Sequence, residues 1–383
     1  MNQRVDVIIV GGGPAGATAA FFLGQAGRKV LVLEKEFLPR YKTCGGAVSA
    51  QVLEQFPFSF EPVIQSKVHA ISYALGEKMV TIPVGESSLR MVMRAEFDAY
   101  LLSHAQAEIR EGAAVRAVKE SLETVAVETV AGERFESDYL IAADGANSMV
   151  ARALNLRRRK IMAGAIEIEA AVSEETLRRF ENKPMLIFGE IGVGYLWIFP
   201  KADHLSIGIG GLNPKPGELQ AVLERVMQRF GISIQAQPRT GHPLPIYRQR
   251  EPLGTARCLL TGDAAGLVDP FTGEGIRFAI KSGRLAAEAI LSGQLERYSV
   301  SVEQQIGRNH RLGNLLTSIF YGMPKPSFEF ALRNPVLSYG LVDMVADRIG
   351  YGKLILAIAG TFPLFMLTKK IALKRSALQE TVT

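Results

Sequence analysis

Three glycine-rich stretches and one cysteine hold the residues in this sequence with chemistry to offer. The first reads Val10-Gly-Gly-Gly-Pro-Ala-Gly16, with Gly11, Gly13 and Gly16 on a G-x-G-x-x-G spacing. That pattern suits a pyrophosphate. Gly11 permits a tight turn, Gly13 lets the backbone approach the phosphates, and Gly16 lets a helix pack on a strand. Pro14 and Ala15 open that helix, whose free N–H groups and positive dipole end favour anions. Glu34, roughly twenty residues on, can accept from a ribose 2′-OH, and Lys35 beside it is grouped with the same ligand. The second stretch is Cys44-Gly45-Gly46, in a loop that begins near Pro39. Cys44 has two readings, a small buried hydrophobe or a thiol facing a cofactor. The glycines and the nearby Arg40 and Lys42 favour the second. In the third stretch, Thr261 to Ile276, Gly262-Asp263 ends a buried strand, and Gly273 lies in a loop before a helix that runs from about Gly275 to Leu291. An Asp at a strand end can bind a hydroxyl, and a glycine loop at a helix N-terminus can stabilise negative charge. Asp144-Gly145, after the strand Tyr139–Ala142, is a further strand-end Asp-Gly.

The elements that must position these residues are readable in outline. The β-branched run Val7–Val10 reads as a buried parallel strand. A helix to about Gly27 and a strand Lys29–Leu33 follow. Gln51–Met93 alternates and turns at Leu75-Gly76-Glu77, as antiparallel strands do. Arg94 opens a helix expected to reach about Glu111, and short strands with a hairpin at Ala131-Gly132, including Val118, fill Ala113–Leu140. Ile161–Gly211 reads as antiparallel strands, among them Tyr195-Leu-Trp197-Ile-Phe199-Pro200. Tyr195, Trp197 and Phe199 alternate and so share one face. Gly208-Ile-Gly210-Gly211 is not a second nucleotide site, because it lacks the third spaced glycine and runs into Asn213-Pro214. Gly217–Gly231 is an amphipathic helix, an extended proline-rich stretch follows, and from Tyr298 the periodicity is helical.

The chain has 383 residues, 48% hydrophobic and 21% charged, with net charge +6. The basic residues are not interleaved with aromatics in one block, which argues against nucleic acid and for a membrane surface or a phosphorylated substrate. Arg157, Arg158, Arg159 and Lys160 read as a solvated linker. Two cysteines make no disulfide framework, so a reducing, cytoplasmic setting is expected. No metal-ligating set is assigned. The N-terminal apolar run is too short for a signal peptide, and no stretch reaches the ~18 apolar residues of a spanning helix. Leu354–Thr368 is uncharged but broken by Pro363, and is flanked by Lys353 and by Lys369, Lys370, Lys374 and Arg375. It is either a core or dimer helix or, over 354–375, a peripheral anchor at the inner face of a membrane.

Four segments resemble the FAD-dependent geranylgeranyl reductases of the hydroxylase-type flavoprotein superfamily. They are GGGPAG with Glu34, the loop PRYKTCGG, YLWIFP followed by Gly208-x-Gly210, and TGDAAGLVDPFTGEGI. The match covers roughly residues 1 to 290, and the cysteine loop and YLWIFP are its specific parts. The resemblance implies an α/β fold with α+β elements and three regions. A Rossmann-like FAD-binding domain is discontinuous, over 1–50, 94–155 and 255–297. An antiparallel-sheet substrate domain spans 51–93 and 156–254, and a C-terminal helical region spans 298–383. It implies non-covalent FAD, with the adenine half at Gly11, Gly13, Pro14, Ala15, Gly16, Glu34 and Lys35. The isoalloxazine would lie near Cys44, Gly45, Gly46, Gly262, Asp263, Gly273, Gly275 and Ile276. Arg94 would reach the cofactor, and Val118 is counted with these residues. The electron donor would be NADPH or ferredoxin.

The implied reaction saturates C=C bonds of a polyprenyl chain on a lipid, a prenyl diphosphate or a chlorophyll precursor. Tyr195, Trp197, Phe199 and Pro200 would form an apolar wall against that chain. An isolated trisubstituted alkene is electron-rich, so a proton must arrive at one carbon as hydride arrives at the other. Aromatic faces can stabilise the positive charge that develops. Cys44, Tyr195 and an ordered water are the candidate proton donors. A flavin monooxygenase or halogenase is the first rival, although the cysteine loop and the lack of an evident catalytic lysine motif count against it. A non-enzymatic prenyl carrier is the second, although this chain keeps every flavin motif.

Overall fold

The β-branched strand Gln3–Val10 sits at the centre of the first sheet, between the parallel strands Val30–Leu33 and Arg134–Ala142. The computed structural model describes residues 3–85, 88–157, 161–234 and 238–361. Glu108–Arg110 adds a parallel edge beyond Val30–Leu33. On the other side, Arg134–Ala142 is shared. Its first half pairs with the antiparallel strand Val125–Thr129 and its second half with the parallel strand Cys258–Leu260. The helices Pro14–Gln25 and Ile276–Ser292 pack against each other. Gly283 permits that approach, since a Cβ there would collide with the Ala15 carbonyl.

One helix is shorter than its sequence suggested. It spans Arg94–Ser103, and Glu108–Arg110 pairs in register with Leu31–Leu33 instead. At Gln106 the chain passes directly over Gly24, leaving no room there for another helical turn. Arg157 also departs from expectation. It is buried, lies against Gly266 and pairs with Glu251 at 3.3 Å. Arg158, Arg159 and Lys160 lie outside the described residues.

The second sheet runs Thr240–Ile246, Ile161–Ala170, Leu205–Leu212, Gly194–Pro200, Met185–Phe188, Ala70–Leu75, Lys78–Pro83. Its back face carries Ile168, Ile187, Leu196, Ile198, Ile207 and Ile209 against the helix Glu218–Arg229. Register fixes what shares the front face. One row reads Glu167, Gly208, Trp197, Leu186, Tyr73, Val80, and the next reads His242, Ala165, Gly210, Tyr195, Phe188, Leu75. Ala165, Gly208 and Gly210 therefore leave one side low beside Glu167 and His242, aromatics fill the middle, and aliphatics take much of the other side. The C-terminal helices cover that last side, with Phe328 and Val342 packing on Ile71, Tyr73 and Ile82.

The glycines set aside as a nucleotide site have a packing role. A Cβ at Gly208 would lie 2.6 Å from Trp197 Cε2, so glycine seats the indole on the sheet. Gly208→Ala is expected to cost about 1–3 kcal/mol by overpacking. Chemical denaturation checks the loss, and an unchanged indole fluorescence spectrum would count against a displaced Trp197.

Candidate active site

One cavity of about 1560 Å³ runs from Gly11 and Glu34, past Cys44, across the front of the second sheet to Phe328, Leu341 and Ile358. Its two ends differ in chemistry. At the first, Gly11 holds φ +101°, and a Cβ at Gly16 would strike the Gly11 carbonyl oxygen. No side chain caps the helix that starts at Pro14, so its first N–H groups are open to an anion. Glu34 is buried and accepts from the Gly12 N–H at 2.6 Å and the Glu36 N–H at 3.1 Å. Arg94 is clasped by Asp98 through two hydrogen bonds of 2.8 and 2.7 Å. Arg40 donates to the same carboxylate at 3.1 Å.

Several buried polar atoms on this wall have no protein partner. They are Arg40 Nη1, Asp144 Oδ1 and His242 Nε2. His242 Nε2 stands 4.0 Å from Asp263 Oδ2. Burial, then the charges of Lys42 and Arg94, push the His242 imidazole down to about 3, so it stays neutral at physiological pH. Burial and Arg94 likewise lower Lys42 to about 8. Burial raises the Asp263 carboxyl, against the pull of Lys42 and Arg94. Orphaned buried donors and acceptors are costly, and a ligand carrying both phosphates and hydroxyls would satisfy them. FAD fits that requirement.

The loop before Ile276 is organised from within. Asp269 Oδ1 accepts from the Phe271 and Thr272 N–H groups at 2.8 and 2.9 Å, and Gly273 holds φ +68°. The Tyr195 hydroxyl donates to the Thr272 carbonyl, tying the second sheet to this loop. Burial raises the Tyr195 pKa. Its proton is thus committed to a carbonyl, and the residue serves as an anchor. Glu274 lines the cavity here, is pushed up to about 7 by burial, and pairs with Arg277 at 2.7 Å.

Cys44 is half-buried and lines the cavity. The Gly46 N–H donates to its sulfur at 3.4 Å. A Cβ at Gly45 would lie 2.8 Å from Phe199 Cδ2 and 3.0 Å from Trp197 Nε1, so the loop rests on those rings. Beyond them the lining turns apolar, with Tyr73, Val80, Ile82, Leu186 and Phe188 below and Phe320 and Phe328 on the covering helices.

The structure brings Gly11, Gly13, Pro14, Ala15, Glu34, Lys35, Cys44, Gly45, Gly46, Arg94, Gly262, Asp263, Gly273, Gly275, Ile276, Tyr195, Trp197 and Phe199 to this one cavity. Three other residues named from the sequence do not line it. Gly16 is spent on helix–strand packing. Val118, opposite Val127, packs on the core, and Ala113, Ala114 and Val115 line the cavity in its place. Pro200 follows Phe199 and so falls on the other face of the strand. Sequence reasoning missed Glu167, Lys201, His242 and Asp269. Only Asp269 lay within a motif already in hand.

Fold and cavity together define a flavoprotein oxidoreductase of the Rossmann-like type. Residues 4–188 match the family described as FAD binding domain. An uncharacterized protein of Methanosarcina barkeri is 32% identical over 91% of each chain. The chloroplastic geranylgeranyl diphosphate reductase of Oryza sativa is 30% identical, over 84% of this chain and 76% of that one. The menaquinone reductase of Mycolicibacterium smegmatis is 29% identical, over 78% and 79%. Among solved structures, a geranylgeranyl bacteriochlorophyll reductase-like protein of Thermoplasma acidophilum aligns with TM-score 0.79 over 95% of this chain and 98% of that one, at 22% identity. A flavin-dependent brominase aligns with TM-score 0.76 over 94% and 100%, at 18% identity, a likeness of fold alone. The chain belongs to the geranylgeranyl reductase family of FAD-dependent oxidoreductases.

Proposed function

We propose that this enzyme saturates C=C bonds in a polyprenyl chain carried by a lipid, a prenyl diphosphate or a pigment precursor. One observation carries the reading. The polar end that suits FAD and the apolar end that suits an isoprenoid are one continuous cavity, joined at Cys44, Tyr195, Trp197 and Phe199. The relatives named for geranylgeranyl diphosphate and menaquinone support a prenylated substrate.

Reduced FAD, when bound, supplies the hydride. Gly11, Gly13 and Glu34 would hold its adenosine and phosphates, and the loop anchored by Asp269 and Tyr195 its ring. Trp197 and Phe199 present aromatic faces where positive charge develops on the substrate. With the Tyr195 proton engaged at Thr272, Cys44 and an ordered water remain of the three donors named from the sequence. The apolar front face excludes bulk water from the rest of the chain.

Peripheral membrane contact belongs to the same reading. Leu315, Ile319, Met323, Val336, Tyr339 and Leu356 are exposed on the covering helices, and Leu315 and Ile319 also line the cavity. No helix among the described residues is long and apolar enough to cross a membrane. Of the proposed anchor, Leu354 is buried against Met344 and Tyr351, while Pro363, Lys369, Lys370, Lys374 and Arg375 lie outside the described residues.

Anaerobic reoxidation separates a reductase from the monooxygenase or halogenase alternative. Photoreduced enzyme is expected to regain its yellow colour on addition of geranylgeranyl diphosphate without oxygen. Reoxidation by oxygen alone, with hydroxylated product, would favour the alternative.

A further inference from the structure

Glu167 and Lys201 are buried titratable side chains on the front face of the second sheet and at its rim, 0% and 3% exposed. Burial pushes the Glu167 carboxyl up to about 7 and lowers the Lys201 amine. Among the described residues neither forms an ion pair with the other or with any third residue. Each instead reaches the backbone of the cysteine loop. Glu167 Oε2 accepts from the Cys44 N–H, and the Ser206 hydroxyl donates to its other oxygen. Lys201 Nζ donates to the Gly45 carbonyl at 2.7 Å and to the Val92 carbonyl at 2.9 Å.

Neutral groups could hold two peptides. Burying an ionisable group costs free energy whether it stays charged or is neutralised, so a carboxyl and an amine at these positions call for a further reason. The surroundings of Cys44 supply it. The sheet side of the loop is filled by Trp197 and Phe199, and a Cβ at Gly46 would meet Lys201 Nζ at 2.7 Å. Gly46, at φ +70°, turns its N–H onto the Cys44 sulfur. With the peptides on both sides of the Cys44–Gly45 segment fixed, the thiol is left the cavity side.

We propose that Glu167 and Lys201 are positioning residues, a carboxyl and an amine whose hydrogen bonds clamp the Cys44–Gly45 segment and hold the Cys44 thiol inward over the cavity. This rests on Cys44 belonging to the active site, but the clamp can be measured without turnover. The chain has two cysteines, and Cys258 is fully buried. Iodoacetamide labelling of native, FAD-loaded enzyme therefore follows Cys44, with Cys44→Ser as the blank.

Glu167→Leu and Lys201→Met should each speed labelling roughly tenfold, the equivalent of losing one charge-assisted hydrogen bond that keeps the thiol inward. Glu167→Gln retains an amide oxygen for the Cys44 N–H and should stay within about threefold of wild type. Wild-type labelling rates in the leucine and methionine variants, with FAD still bound, would overturn the clamp. Should those variants not fold, Glu167→Asp decides. Its shorter carboxylate falls away from the Cys44 N–H, so faster labelling supports the clamp and an unchanged rate overturns it. Failure of the anaerobic reoxidation test with faster labelling here would leave the clamp standing and remove the prenyl reading.

Discussion

Gly16→Val is expected to yield folded protein without FAD. A Cβ at this position would collide with the Gly11 carbonyl and meet the Ala143 Cβ at 3.2 Å. Neither can retreat. Gly11 is held by the Leu33 carbonyl at 2.9 Å, and the Ala143 N–H by the Val10 carbonyl at 2.8 Å. The helix must therefore lift from the strand, carrying away the N–H groups that face the phosphates. Overpacking of this kind costs about 1–3 kcal/mol in stability. The cofactor loses more, because several phosphate hydrogen bonds of ~1.5–3 kcal/mol each go together. Gly192→Ala is the control, since nothing lies within 4 Å of its Cβ. Flavin absorbance relative to protein, beside a circular dichroism spectrum, reads the result. A valine variant as yellow as the alanine control would refute the dinucleotide cradle.

Val80→Trp is expected to discriminate by chain length. Trp197, Leu186, Tyr73 and Val80 occupy one cross-strand row. Three strand spacings of ~4.8 Å place Val80 about 14 Å from Trp197. A prenyl chain laid along that row reaches Val80 only with its distal units. An indole there evicts one five-carbon unit, worth about 4 kcal/mol at ~0.8 kcal/mol per carbon buried. That is roughly a thousandfold in kcat/KM for geranylgeranyl diphosphate. Geranyl diphosphate, too short to reach, should be turned over as before. Equal losses for both substrates would place the chain elsewhere in the cavity.

The sequence made one end of this cavity far plainer than the other. Gly11, Gly13, Gly16 and Glu34 act through backbone geometry within a single strand–helix–strand unit, so their pattern is local and legible. Tyr195, Trp197 and Phe199 were legible as one face of a strand, because alternation requires it. Their setting was not. Gly208, a strand residue whose lack of a side chain makes room for the indole, looked only like part of a failed nucleotide motif. The hydrogen bonds on the Cys44–Gly45 backbone come from Glu167 and Lys201, far away in the chain, and no periodicity links them. The helix from Arg94 was read too long because Glu108–Arg110 takes its conformation from a neighbouring strand, a tertiary preference that local propensity does not encode.

Whether the cavity saturates olefins is decided by weighing the product. Dithionite-reduced enzyme, incubated anaerobically with geranylgeranyl diphosphate, should return a prenyl chain heavier by two hydrogens for each double bond reduced, and Cys44→Ala should slow that gain. A chain of unchanged mass, from enzyme that holds FAD and binds the substrate, would contradict a prenyl reductase.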